Sequence, residues 1–134
     1  MNRIPFSAFA LGLGGLVPVV WGAASAAFPG PFGQLLGSLS PAFVGTALLS
    51  VYGTIILSFM SGVIWGFATK SEGRPADAAY LLSVMPAIYA LALLPAPVSA
   101  GLIGLAIGFV ALLVVDYWAS REGIAPGWWM KLRL

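Results

Sequence analysis

The sequence predicts an all-α, polytopic membrane bundle of four transmembrane helices, with no soluble domain. Three observations carry that prediction. Hydrophobic residues make up 60% of the 134-residue chain and charged residues only 7%. A soluble domain carries about a quarter charged residues, so this chain cannot clothe itself in a polar surface. Its apolar residues fall into four runs long enough to cross a hydrocarbon core of about 30 Å, separated by prolines, glycines and short polar loops. All six basic residues then lie at ends of those runs that share one side, provided every run crosses. Residues 1–134 therefore read as one integral membrane domain.

The first helix is expected over about 6–28. Pro18 lies well inside it and is expected to kink it, because proline removes a backbone donor and clashes with the preceding turn. Ala24-Ser25-Ala26 imitates a signal-peptidase site after an apolar region. The thin charged start and the long apolar run favour a retained helix over a cleaved signal. Pro29-Gly30-Pro31 ends it, and the uncharged stretch 32–40 is expected along the membrane interface as a turn or short helix.

The second helix, about 42–69, is the expected packing spine. Its central stretch, YGTIILSFMSGVIWGFA over 52–68, holds no charge. Thr46, Ser50, Thr54, Ser58, Gly62 and Gly66 recur at every fourth position and end in GxxxG. Lipid tails are as apolar as leucine, so membrane helices associate by close packing and interhelical hydrogen bonds, which small residues permit. Ser50, Thr54, Ser58, Gly62 and Gly66 are thus expected at helix contacts. The competing reading is that small residues are simply common in membrane helices.

The loop 70–77 is the one strongly polar connection. The third helix is expected over about 76–94, with Pro86 near its middle, and 95–97 makes a tight turn between prolines. The fourth is expected over about 98–120, where Gly104 and Gly108 form a second GxxxG suited to face the spine. The tail, 121–134, is basic with paired tryptophans, a composition that lies at headgroup level.

With four crossings, Arg3, Lys70, Arg74, Arg121, Lys131 and Arg133 share one side, and 28–41 and 95–97 opposite carry no charge. The positive-inside rule makes both termini cytoplasmic. The net charge of +2 thus reports topology rather than nucleic-acid binding.

Chemistry is sparse. Cysteine and histidine are absent, which excludes disulfides, cysteine nucleophiles, histidine-ligated haem and the usual zinc and iron–sulfur sites within this chain. No metal, cofactor or catalytic group is expected. Ser50, Ser58 and Ser61 lack a neighbouring base, so they are expected to bond backbone instead. The LGLGG stretch at 11–15 lies inside a span with no preceding strand and is not a phosphate loop.

Apart from Asp77 in the first turn of the third helix, Asp116 is the only acid inside an expected span. It is a candidate for an ion pair with Lys70, Arg74, Arg121 or Arg133; a proton or ligand role and simple exposure at the interface are the alternatives. Tyr52, Trp65 and Tyr89 are candidate ligand-lining rings for a quinone, lipid or pigment, set against a role as packing anchors. Pro18 and Pro86 could free carbonyls for an ion or substrate, as broken helices do in transporters, unless neighbours satisfy those groups.

YGxxILSFxxGVxWGFA in the spine, SVMPA at 83–87, Asp116 and PGWWMKLRL at 126–134 resemble the transmembrane-protein-69 family, found in proteobacteria and mitochondria. The likeness runs from LGLGGLVP at 11–18 to the end. Members typically continue into a further apolar helix, whereas this sequence stops at Leu134. The family's usual SFLGGVRWG reads SFMSGVIWG here, so Ile64 replaces a position that is often basic and no ligand role carries over to it. The resemblance implies an inner-membrane helical bundle and supplies no activity. The expected setting is a bacterial inner membrane, the absence of a transit peptide arguing against a mitochondrial precursor. The expected role is a non-enzymatic accessory or assembly subunit of a respiratory or photosynthetic complex, with membrane lipids and other membrane subunits as partners. A small transporter or lipophilic-ligand binder is the alternative.

Overall fold

The computed structural model describes residues 3–36, 38 and 40–134, and among these it is built from helices alone. Four are long and apolar enough to cross a membrane: α1 (Phe6–Ala27), α3 (Gly45–Ala68), α4 (Arg74–Leu93) and α5 (Val98–Arg121). Two short helices accompany them, α2 (Pro29–Leu36) after α1 and α6 (Trp129–Arg133) after α5. A single 3-10 turn, Pro41–Phe43, leads into α3.

Local sequence sets the boundaries. Pro29 opens α2, where its missing N–H costs nothing. Gly37 and Leu39, in the connection expected at the interface, lie outside the described residues. Gly73, at φ +79°, turns the chain into α4, and Pro75 occupies its first turn. That helix therefore begins two residues before the expected 76. Pro95 and Pro97 flank the turn into α5, whose first closing bond runs from the Gly101 N–H to the Pro97 carbonyl at 2.8 Å.

The spine expectation holds for the helix but not for its face. α3 packs against α1, α4 and α5, and α4 and α5 also pack on each other, while α1 packs chiefly on α3. The buried side of α3 is Leu57, Ser61, Ile64 and Ala68, alternating steps of four and three. A strict four-residue column drifts by about 40° per step on a helix of 3.6 residues per turn. It therefore starts near one side at Thr46 and comes out on another at Gly66. Gly62 and Gly66 are exposed, and a Cβ added to either meets nothing within 4 Å. Among the described residues, an added side chain at either of these two expected contacts would meet no other helix.

Close approaches are made by other small residues. A Cβ at Gly104 would lie 2.6 Å from Leu93 of α4, and one at Gly108 would lie 2.8 Å from Leu57 of α3. A Cβ at Gly53 would come within 3.0 Å of Leu105, and one at Gly22 within 2.9 Å of Leu49. Gly22 and Ser25 are the buried residues of α1. The Ser25 hydroxyl donates to the Trp21 carbonyl at 2.8 Å and accepts the Gly45 N–H at 2.8 Å. It thereby satisfies an orphan donor at the start of α3, whose own N-cap residue, Val44, has no side chain to do so. The stretch that imitates a cleavage site is the seam between α1 and α3.

Candidate functional site

The densest polar arrangement lies at the charged end, and a helix terminus builds it. α5 closes on Gly123, at φ +72°, with the Gly123 N–H bonded to the Ser120 carbonyl and the Ile124 N–H to the Ala119 carbonyl at 2.9 Å. That is a Schellman ending, and the buried pair Ile124 and Ala119 supplies its apolar contact. Pro126 follows, and its carbonyl accepts the Trp129 N–H at 2.8 Å as α6 begins. The chain is thus turned back beneath the bundle instead of running on from α5.

This reversal brings Trp129 and Arg133 to Asp116. The Asp116 carboxylate is 0% exposed. One oxygen accepts the indole N–H of Trp129 at 2.8 Å, and the other accepts the Nε–H of Arg133 at 2.6 Å. A buried charge is tolerated when it is paired and hydrogen-bonded, and both conditions are met here. Trp129 stacks edge-on against Phe67 of α3 with centroids 5.0 Å apart, and the Arg133 guanidinium carbon lies 5.9 Å from the Trp129 ring centroid. Leu132 reaches α1, its tip 3.3 Å from where a Cβ on Gly12 would stand. Through Trp129, Leu132 and Arg133, α6 therefore fastens α1, α3 and α5 at one end. Of the four cations that sequence offers Asp116, Arg133 is the partner; Arg121 instead lies 6.0 Å from the Tyr117 ring centroid. Ser120, one turn below Asp116, has a buried hydroxyl with no hydrogen-bond partner among the described residues.

The three candidate ligand-lining rings do not meet. Tyr52 donates its hydroxyl to the Gly15 carbonyl of α1 at 2.9 Å, one turn before Pro18. Pro18 removes the N–H that would meet the Gly14 carbonyl, so the Tyr52 bond falls one residue beyond the freed acceptor. Tyr89 donates to the Gly104 carbonyl of α5 at 2.9 Å. Trp65 packs edge-on against Tyr80 of α4 with centroids 4.8 Å apart. Each ring joins a different pair of helices, Tyr52 joining α3 to α1, Tyr89 α4 to α5 and Trp65 α3 to α4, which is the packing-anchor role set against ligand lining. The reason is chemical: a phenol in an apolar span needs an acceptor, and a carbonyl on the next helix is the nearest one.

The hydroxyls on α3 serve the backbone. Thr54 donates to the Ser50 carbonyl at 2.8 Å, Ser58 to Thr54 at 2.9 Å and Ser61 to Ser58 at 2.9 Å. Among the described residues, no three acidic side chains gather in a way that could hold a metal ion. A cavity of about 270 Å³ opens between α3 and the α4–α5 turn, walled by Ser50, Thr54, Ile55, Leu93, Gly101 and Leu105 among others. A second of about 310 Å³ lies by Ser25, Pro29 and Thr46 at the same end. Asp116 and the three rings line neither.

Sequence reasoning missed Gly22, Gly53 and Ser25 as contact residues and Trp129 as a ligand of Asp116. The spacing of Gly22 and Ser25, three apart on one helix face, was the available signal for the first seam. No curated protein and no solved structure matches the chain. The family model of DUF3429, proteins of unknown function, matches residues 4–134, and the chain belongs to that family.

Proposed function

We propose that this protein is a non-enzymatic accessory, structural or assembly subunit of a bacterial inner-membrane complex, respiratory or photosynthetic in kind. On this reading both termini are cytoplasmic, and the family is related to transmembrane-protein-69 proteins. One observation supports it most. The glycine pair at Gly104 and Gly108 is filled from within by Leu93, Leu57 and Tyr89, whereas the pair at Gly62 and Gly66 stays open. A small-residue groove on the central helix suits a helix of another membrane subunit, since close backbone approach drives association in lipid.

The test is purification from native membranes in mild detergent, comparing the wild-type chain with Gly62→Leu. A stoichiometric membrane subunit that co-migrates with the wild type and is lost from a folded Gly62→Leu protein is the expected result. Co-migration unaffected by the substitution, or only lipid in both preparations, overturns it. Orientation has its own check. Cysteines placed at Ser71 and Ser38 are expected to react from opposite sides, Ser71 from the cytoplasm; labelling from one side would remove the four-crossing topology.

The open cavity of about 270 Å³ favours a second reading, a small transporter or a lipid- or quinone-binding protein. Its walls are mostly apolar, as those of a chain-binding groove would be. A bound isoprenoid or acyl chain displaced by Gly101→Leu would move the conclusion there.

A further inference from the structure

The geometry points to Arg133 as a receptor for the phosphate of an anionic membrane lipid, aimed by Asp116 and Trp129. An arginine meets a carboxylate best through two parallel N–H bonds, and here it does not. Asp116 receives Arg133 through Nε alone, because its other oxygen is taken by the Trp129 indole. The Nη1 and Nη2 edge makes no hydrogen bond or ion pair among the described residues, and no second carboxylate lies within ion-pair distance of it. That edge is the fork whose spacing matches two oxygens of a phosphate.

The fork is held rather than mobile. Arg133 is 14% exposed, its Nε is fixed on a fully buried acid, and its guanidinium carbon lies 5.9 Å from the Trp129 ring centroid. It belongs to the end of the bundle where α3 and α5 finish and where every charged residue of the chain is found. At that depth water gives way to headgroups, and lipid phosphate is the abundant acceptor. A phosphate there would give the Nη1 and Nη2 N–H groups charge-assisted hydrogen bonds. Lysine at this position would keep the charge but lose the fork, so the site is specific to arginine. The inference is independent of the accessory reading, since a bound lipid is compatible with either function.

The experiment is native mass spectrometry of the detergent-purified full chain, titrated with phosphatidylglycerol, beside thermal unfolding of the same samples. The wild type is expected to hold one phosphatidylglycerol and to unfold at a higher temperature with it. Arg133→Lys, which preserves the ion pair, is expected to bind about tenfold more weakly, the size of losing one charge-assisted hydrogen bond. Asp116→Asn is expected to weaken binding similarly with Arg133 still present, because its aim is lost. Lys131→Gln, which removes an equal charge from the same helix, is expected to bind as wild type. Equal binding by Arg133→Lys overturns the proposal. So does equal loss in Lys131→Gln, which would mean diffuse attraction. Displacement of the lipid by millimolar inorganic phosphate would make this a free-phosphate site and overturn the lipid assignment.

Discussion

Two glycine pairs with the same spacing have opposite fates in this molecule. Gly104 and Gly108 on α5 are buried, with Leu93, Leu57 and the Tyr89 ring pressed onto them. Gly62 and Gly66 on α3 face outward with nothing near. The motif itself is permissive: it removes side-chain bulk and does not say who comes close. What decides is whether a neighbouring helix carries a knob at the matching height. For α5 the knobs come from both neighbours, and Tyr89 adds a hydrogen bond to the Gly104 carbonyl.

The contrast can be broken by substitution. Gly108→Leu is expected to have the largest effect, destabilising the bundle by about 1–3 kcal/mol or more, because Leu57 and Tyr89 have nowhere to retreat. Unfolding in mixed detergent micelles reads it, and a stability equal to wild type would mean that the α3–α5 contact is loose. Tyr89→Phe keeps the ring over Gly108 and removes only the hydrogen bond, so a loss near 0.6 kcal/mol is expected by the same assay. A loss as great as that of Gly108→Leu would show that the bond, not the close approach, holds α4 to α5. Gly62→Leu closes the series with a change inside about 0.5 kcal/mol, as for exposed sites generally. A large loss in the isolated protein would place Gly62 against another part of this chain and erase the contrast.

Much of the architecture was legible. Prolines and glycines mark the turns between spans, and the charges fall in alternate connections, at one end of the bundle. Which side of α3 turns inward was not. In water an amphipathic stripe declares the buried face, but in lipid both faces are apolar, and Ile55 and Phe59 look as fit for the core as Leu57 and Ile64. The column at four-residue spacing was conspicuous yet drifts off the contact. Asp116 was identified as the acid to watch, and its partner was one of four cations. Choosing Arg133 requires knowing that Gly123 reverses the chain. Gly123 is an ordinary glycine in sequence until its positive φ is seen. The rings of Tyr52 and Tyr89 were ambiguous for a like reason, since their acceptors are backbone atoms, which carry no letter in the sequence.

The pairing of Asp116 with Arg133 also bears on the order in which the fold can close. The acid precedes its partner by seventeen residues. The salt bridge can therefore close only once the Gly123 reversal has formed and α6 has docked, so the carboxylate of α5 depends on residues beyond its own helix. A chain interrupted between those points would possess all four spans and still carry a stranded acid. A chain whose α6 is undocked thus leaves a buried acid without its cation, and a buried charge without its partner is costly.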